Sequence, residues 1–143
     1  PIANDFDTQA FIVDKATKKV TPITRGFNPS VDFLQWNRTD GCIYFNTTDE
    51  DCKHIYRYIP QTDSFEMLPL QEDVIASFDL AENNPTVAAY VGGDNTSVGV
   101  AYTYDVKKKT SALLANPMKP ALDKIEMGTM KEWNFTSRGR YGN

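Results

Sequence analysis

The sequence predicts an all-β fold assembled from a repeated unit of four antiparallel strands. Three observations lead there. Residues 31–69, VDFLQWNRTDGCIYFNTTDEDCKHIYRYIPQTDSFEMLP, read as four short strands at 31–37, 42–46, 54–59 and 64–68, rich in Val, Ile, Phe, Tyr and Trp and separated by polar turns. The same pattern returns over 74–115, and its second half stands alone before Arg25. No stretch carries the 3.6-residue apolar rhythm of a helical solenoid.

Taken in order, residues 9–14 and 20–24 form a first hairpin around the turn Ala16-Thr17-Lys18. Laid beside HIYRYIPQTDSFEMLP and VAYTYDVKKKTSALLA, it aligns Val13 with Tyr58 and Tyr104, and Asp14 with Ile59 and Asp105. Val20 then meets Phe65 and Ser111, and Ile23 meets Leu68 and Leu114, at offsets of 45 and 46 residues. The preceding strands correspond as well, 31–37 with 74–80 and 42–45 with 87–90. A period of about 40–45 residues with four strands per repeat is that of a β-propeller blade. The expected organisation is a partial β-propeller: a half blade, the outer hairpin, over 1–24, complete blades over 25–69 and 70–115, and an exit segment over 116–143.

Strands 42–45 and 87–91 are apolar at consecutive positions, so both faces of each blade are expected to be covered. The hairpin tips, Gln61-Thr62-Asp63 and Lys107-Lys108-Lys109, are polar and suit a solvated rim. Two and a half blades cannot close a ring of about 4–8. A fragment of a larger propeller is expected, prone to self-association through uncovered faces and open strand edges. After Ala115, Asn116-Pro117-Met118-Lys119-Pro120 breaks the pattern, residues 132–136 alternate like a strand, and 137–143 read as a turn.

With 143 residues, 41% apolar and 24% charged, the chain has the composition of one globular domain. Fifteen Lys and Arg against nineteen Asp and Glu give a net charge of -4, the wrong sign for neutralising phosphates, so nucleic acid is not an expected partner. No apolar run reaches the ~20 residues of a membrane span, and no charged-then-apolar leader is present. A start at Pro1 is expected of a processed or excised piece. Cys42 and Cys52 fall at opposite ends of a predicted hairpin, so two free thiols are expected rather than a disulfide.

The hairpins HIYRYIPQTDSFEMLP and AYTYDVKKKTSALL, the proline-marked exit and KIEMGTMKEWNFTSRGRYGN resemble the last propeller blades of the prolyl oligopeptidase family of serine peptidases. The dipeptidyl peptidase IV and acylaminoacyl peptidase branches are the most similar. The resemblance implies that EWNFTSRGRYGN leads into an α/β-hydrolase domain C-terminal to Asn143, that peptides are the substrates of the parent, and that the parent is periplasmic or secreted. The family's paired glutamates, which bind the peptide amino terminus, have no matching segment here, so no binding residue carries over.

No catalytic, cofactor or metal site is expected within the chain. None of Ser30, Ser64, Ser77, Ser97, Ser111 or Ser137 sits in the Gly-x-Ser-x-Gly turn of a nucleophile elbow, and His54 has no such serine to serve. Asp49-Glu50-Asp51-Cys52-Lys53-His54 offers donors but no zinc or calcium spacing, and reads as a hairpin tip. Gly92-Gly93 reads as part of a hairpin loop, lacking the Lys and helix of a phosphate loop. Trp36 and Trp133 are expected in the core rather than as ligand platforms. Asn37, Asn46, Asn95 and Asn134 begin glycosylation sequons. The competing expectation is a binding module without an attached enzyme, a propeller that recognises a peptide, glycan or protein.

Overall fold

The structure, a computed structural model, describes residues 8–49, 51–131, 133 and 135. The fold is all-β. A hairpin of β1 (Phe11–Val13) and β2 (Val20–Pro22) precedes two antiparallel meanders. The first comprises β3 (Ser30–Trp36), β4 (Ile43–Asp49), β5 (Cys52–Ile59) and β6 (Ser64–Met67), and the second β7 (Val74–Leu80), β8 (Val87–Gly93), β9 (Val100–Asp105) and β10 (Thr110–Ala115). A single parallel bridge, Lys53 to Val74, links the meanders into one hydrogen-bonded sheet of eight strands. One bridge does little, so side chains must hold the meanders together.

The three outer hairpins superpose in register as the sequence alignment requires. Val13 faces Val20, Tyr58 faces Phe65, and Tyr104 faces Ser111. Each turn then places one residue in the left-handed region at the matching position: Lys18 (φ 59°), Asp63 (φ 50°) and Lys109 (φ 56°). In the first and third turns an aspartate preorganises the loop. Asp14 Oδ1 accepts the N–H groups of Ala16 and Thr17, and Asp105 Oδ1 those of Lys107 and Lys108, the short polar side chain standing in for a turn carbonyl.

The repeat is also visible in how the units pack. On one face of the first meander, Tyr44, Cys42, Ile55 and Leu68 pack against Ile75, Phe78, Leu80, Tyr90 and Tyr104 of the second. On its other face, Val31, Ile43, Phe45 and Tyr58 pack with Ile23, Ala10 and Ile12 from the hairpin. Tyr58 and Tyr104, equivalent in sequence, therefore both look toward the preceding unit. The stacking is head to tail.

Four expectations need correction. The inner strands are offset by 44 residues at their start, not 43: Val31 faces Thr47 as Ile75 faces Gly92, and both are buried while Val74 is exposed. The slip arises because each inner strand carries a bulge, at Phe33/Gln35 and at Ile75/Ser77, in different places. Consecutive burial holds for Ile43, Tyr44 and Phe45 but not for β8, where Val87 and Ala89 are exposed and Ala88 and Tyr90 buried. Only one face of the second meander is covered among the described residues. Gly92 and Gly93 lie inside β8 rather than in its loop. A Cβ on Gly93 would stand 2.6 Å from the Ser97 carbonyl oxygen, so close approach of the returning chain demands glycine there. Beyond β10 the chain forms one turn of helix, α1 (Lys119–Leu122), with Pro120 in its first turn. Trp133 and Phe135 belong to no strand, and the rest of the strand and turn expected over 132–143 lies outside the described residues.

The packing predicts unequal costs at two equivalent phenylalanines. Phe33 faces Phe45 as Phe78 faces Tyr90, yet Phe78 is 8% and Phe33 64% exposed. In urea titrations Phe78→Ala should lower stability by about 3 kcal/mol and Phe33→Ala by less than about 1 kcal/mol. Equal losses would contradict this arrangement of the units.

Candidate functional site

Between β1 and the inner strands of the first meander runs an open groove of about 330 Å³. Its walls include Ala10, Ile12 and Val13 from the hairpin and Val31, Phe33, Trp36, Ile43 and Phe45 from β3 and β4. Among the described residues no lining side chain is charged. Trp36 is 49% exposed, so the expectation that it fills the core is wrong. It ends β3 on the face that a three-residue strand is too short to cover, and its indole N–H donates to the Gly41 carbonyl at 3.2 Å, which fixes the ring over the groove. Trp133, 84% exposed, is likewise not a core residue. The groove can hold apolar or aromatic groups, and β1, paired among the described residues only with β2, offers backbone hydrogen bonds along its other edge.

A second constellation lies at the junction of the two meanders. Arg57 donates from Nε and Nη2 to Glu66 Oε2 at 2.8 and 2.6 Å, and its Nη1 is 3.7 Å from Asp40 Oδ2. Tyr44 donates its hydroxyl to the same Asp40 oxygen at 2.7 Å. From the second meander, the Lys109 ammonium donates to Glu66 Oε1. Lys109 above all, with Arg57, holds the Glu66 carboxyl below the usual range. Burial pushes the Tyr104 phenol up to about 12, and its hydroxyl has no hydrogen-bond partner among the described residues. Every charged group in this cluster is matched by an opposite one. It binds two sheets together rather than offering a charge to a ligand.

The remaining candidates do not converge. His54 lies opposite Thr47 in β5, and no serine hydroxyl is hydrogen-bonded to it among the described residues. Ser97 Oγ donates to Glu72 Oε2 at 2.5 Å and sits 3.0 Å from Asp94 Oδ1, held by two carboxylates without an imidazole. Asp49 and Cys52 face each other across the tip of β4 and β5, while Glu50 lies outside the described residues. No three His, Cys, Asp or Glu side chains converge as metal ligands among the described residues. Both cysteines are free, and burial, with a neighbouring aspartate, pushes both thiols up, away from the reactive thiolate. Of the sequon asparagines, Asn37 is buried, donating from Nδ2 to the Pro85 carbonyl and accepting the Thr39 N–H, whereas Asn95 is exposed. Asn134 lies outside the described residues. Sequence reasoning missed the groove, whose only signal was the unpaired half repeat at the start.

The Glu66 cluster yields a pH dependence. A carboxyl whose folded pKa is depressed stabilises the fold above its unfolded value, 4.5, and that contribution fades as pH falls through the folded pKa. At pH 7, Glu66→Gln should cost about 1–3 kcal/mol. Below pH 4.5 the gap between variant and parent should narrow steadily, as measured by urea titration across pH. A gap independent of pH would remove Glu66 from this role. No helix among the described residues is long and apolar enough to cross a membrane. No protein-family model matches the chain, and no curated protein is significantly similar to it.

Proposed function

We propose that this chain is a non-catalytic arc of a β-propeller from a serine exopeptidase of the prolyl oligopeptidase type, similar to dipeptidyl peptidase IV. One observation carries the propeller part of this reading, while the peptidase part rests on the sequence resemblance alone. Consecutive units present equivalent faces to one another, with Tyr58 and Tyr104 each directed at the unit before, and such head-to-tail stacking either closes into a ring or runs on. In that role the blades wall a chamber, admit short peptides and hold a hydrolase domain that carries the chemistry outside this chain. The remaining blades and that domain are then its partners, and the resemblance implies a periplasmic or secreted parent. The open groove at Phe33 and Trp36 favours a second reading, a propeller-type binding module for a peptide, glycan or protein with no enzyme attached.

Two measurements separate them. In the longer parent sequence, the first reading requires a Gly-x-Ser-x-Gly strand-turn-helix within about two hundred residues after Asn143. Assayed on chromogenic dipeptide amides, the parent should turn over and this chain alone should not. Hydrolysis by the chain alone, or a parent without that motif, overturns the peptidase reading.

A further inference from the structure

The repeat shows what the groove beside β1 is shaped to receive. In the second meander the positions of Phe33 and Trp36 are taken by Phe78 and Leu80, which are 8% and 3% exposed. They are buried because the inner strands β3 and β4 of the preceding unit lie on them, with the Tyr44 ring stacked on Phe78 at 6.0 Å and 13°. Phe33 and Trp36 are 64% and 49% exposed because, among the described residues, the unit before them supplies an outer hairpin alone. Strand pairing says the same thing. β5 and β9 each have a neighbour on both sides, β4 with β6 and β8 with β10, whereas among the described residues β1 has only β2.

We propose that this groove binds an antiparallel β-hairpin from beyond this chain. One of its strands adds to the free edge of β1, as β4 adds to β5, and an aromatic side chain from that strand stacks on Phe33 as Tyr44 stacks on Phe78. The recognition is β-strand addition combined with an aromatic anchor on a wall that is uncharged among the described residues. Residues 1–7 are too few to supply it, since the matching hairpin takes the twenty residues 30–49. A second copy is a poor occupant. Its own β3 and β4 are already paired, and on its uncovered face Ala89 stands where the first meander has Tyr44. The inference rests on the repeat register and not on the peptidase reading, so each can fail alone.

The probe is a synthetic peptide of residues 30–49 carrying Trp36→Phe and Cys42→Ser. It is titrated into the full chain bearing Trp133→Phe, in which Trp36 is the one indole. Saturable binding with a blue shift of Trp36 emission is expected. Phe33→Asp in the chain, at an exposed position that tolerates the change, should weaken binding at least about tenfold, as should Tyr44→Ser in the peptide. Leu114→Asp, at an exposed position in β10, should leave binding unchanged. Absence of saturable binding, or binding indifferent to Phe33→Asp, overturns the proposal. So does sedimentation showing a dimer of the chain that Phe33→Asp dissolves, because the groove would then take a second copy.

Discussion

The face-to-face contact centred on Tyr44 and Phe78 is the constraint from which the rest of the structure follows. The meanders share a single backbone bridge, so their relative placement is decided by side chains meeting between two sheets. Tyr44 is fully buried and its ring stacks on Phe78, an offset pairing worth about 0.5–1.5 kcal/mol beyond the area it removes from water. Around it Ile55, Ile75, Leu80, Tyr90 and Tyr104 fill the interface. Because β4 must supply this contact on one side and Ile43 and Phe45 to the hairpin on the other, it is buried on both faces.

Polar groups at the same junction follow from that burial. Placing the Tyr44 hydroxyl inside the interface demands an acceptor, and Asp40 provides it. A carboxylate there demands a cation, and Arg57 lies near it while reaching Glu66, which in turn receives Lys109 from the other meander. The chain of partners leads outward from buried phenol to exposed ammonium. Such a network adds geometry more than net energy, since each ion has given up water to enter it. Its value is in fixing one angle and one register between otherwise slippery apolar sheets.

The same logic explains the open surfaces. Each unit carries one face meant for the unit before and one for the unit after. The first meander has both neighbours, one of them reduced to two strands, whereas the second has a neighbour on one side among the described residues. Among the exposed apolar residues, Phe33 and Trp36 lie on one flank and Val87 and Leu114 on the other. They occupy positions that are interior wherever the stack continues.

The strands and turns were legible in the sequence because they are local. Period-two aromatic and β-branched runs set the strand positions, and the aligned turns at Lys18, Asp63 and Lys109 set hairpin register, since turn geometry fixes which residues face each other. The repeat, and hence the expectation of stacked units, came from the same alignment. What sequence could not decide is which copies of an equivalent position are covered. Phe33 and Phe78 are the same residue at the same place in the repeat, and one is core while the other lines a groove. Trp36 was misplaced for that reason, and the inner-strand offset was misjudged because a bulge moves pairing without marking the sequence. Burial depends on the neighbour across the sheet face, and that neighbour is set by tertiary packing alone.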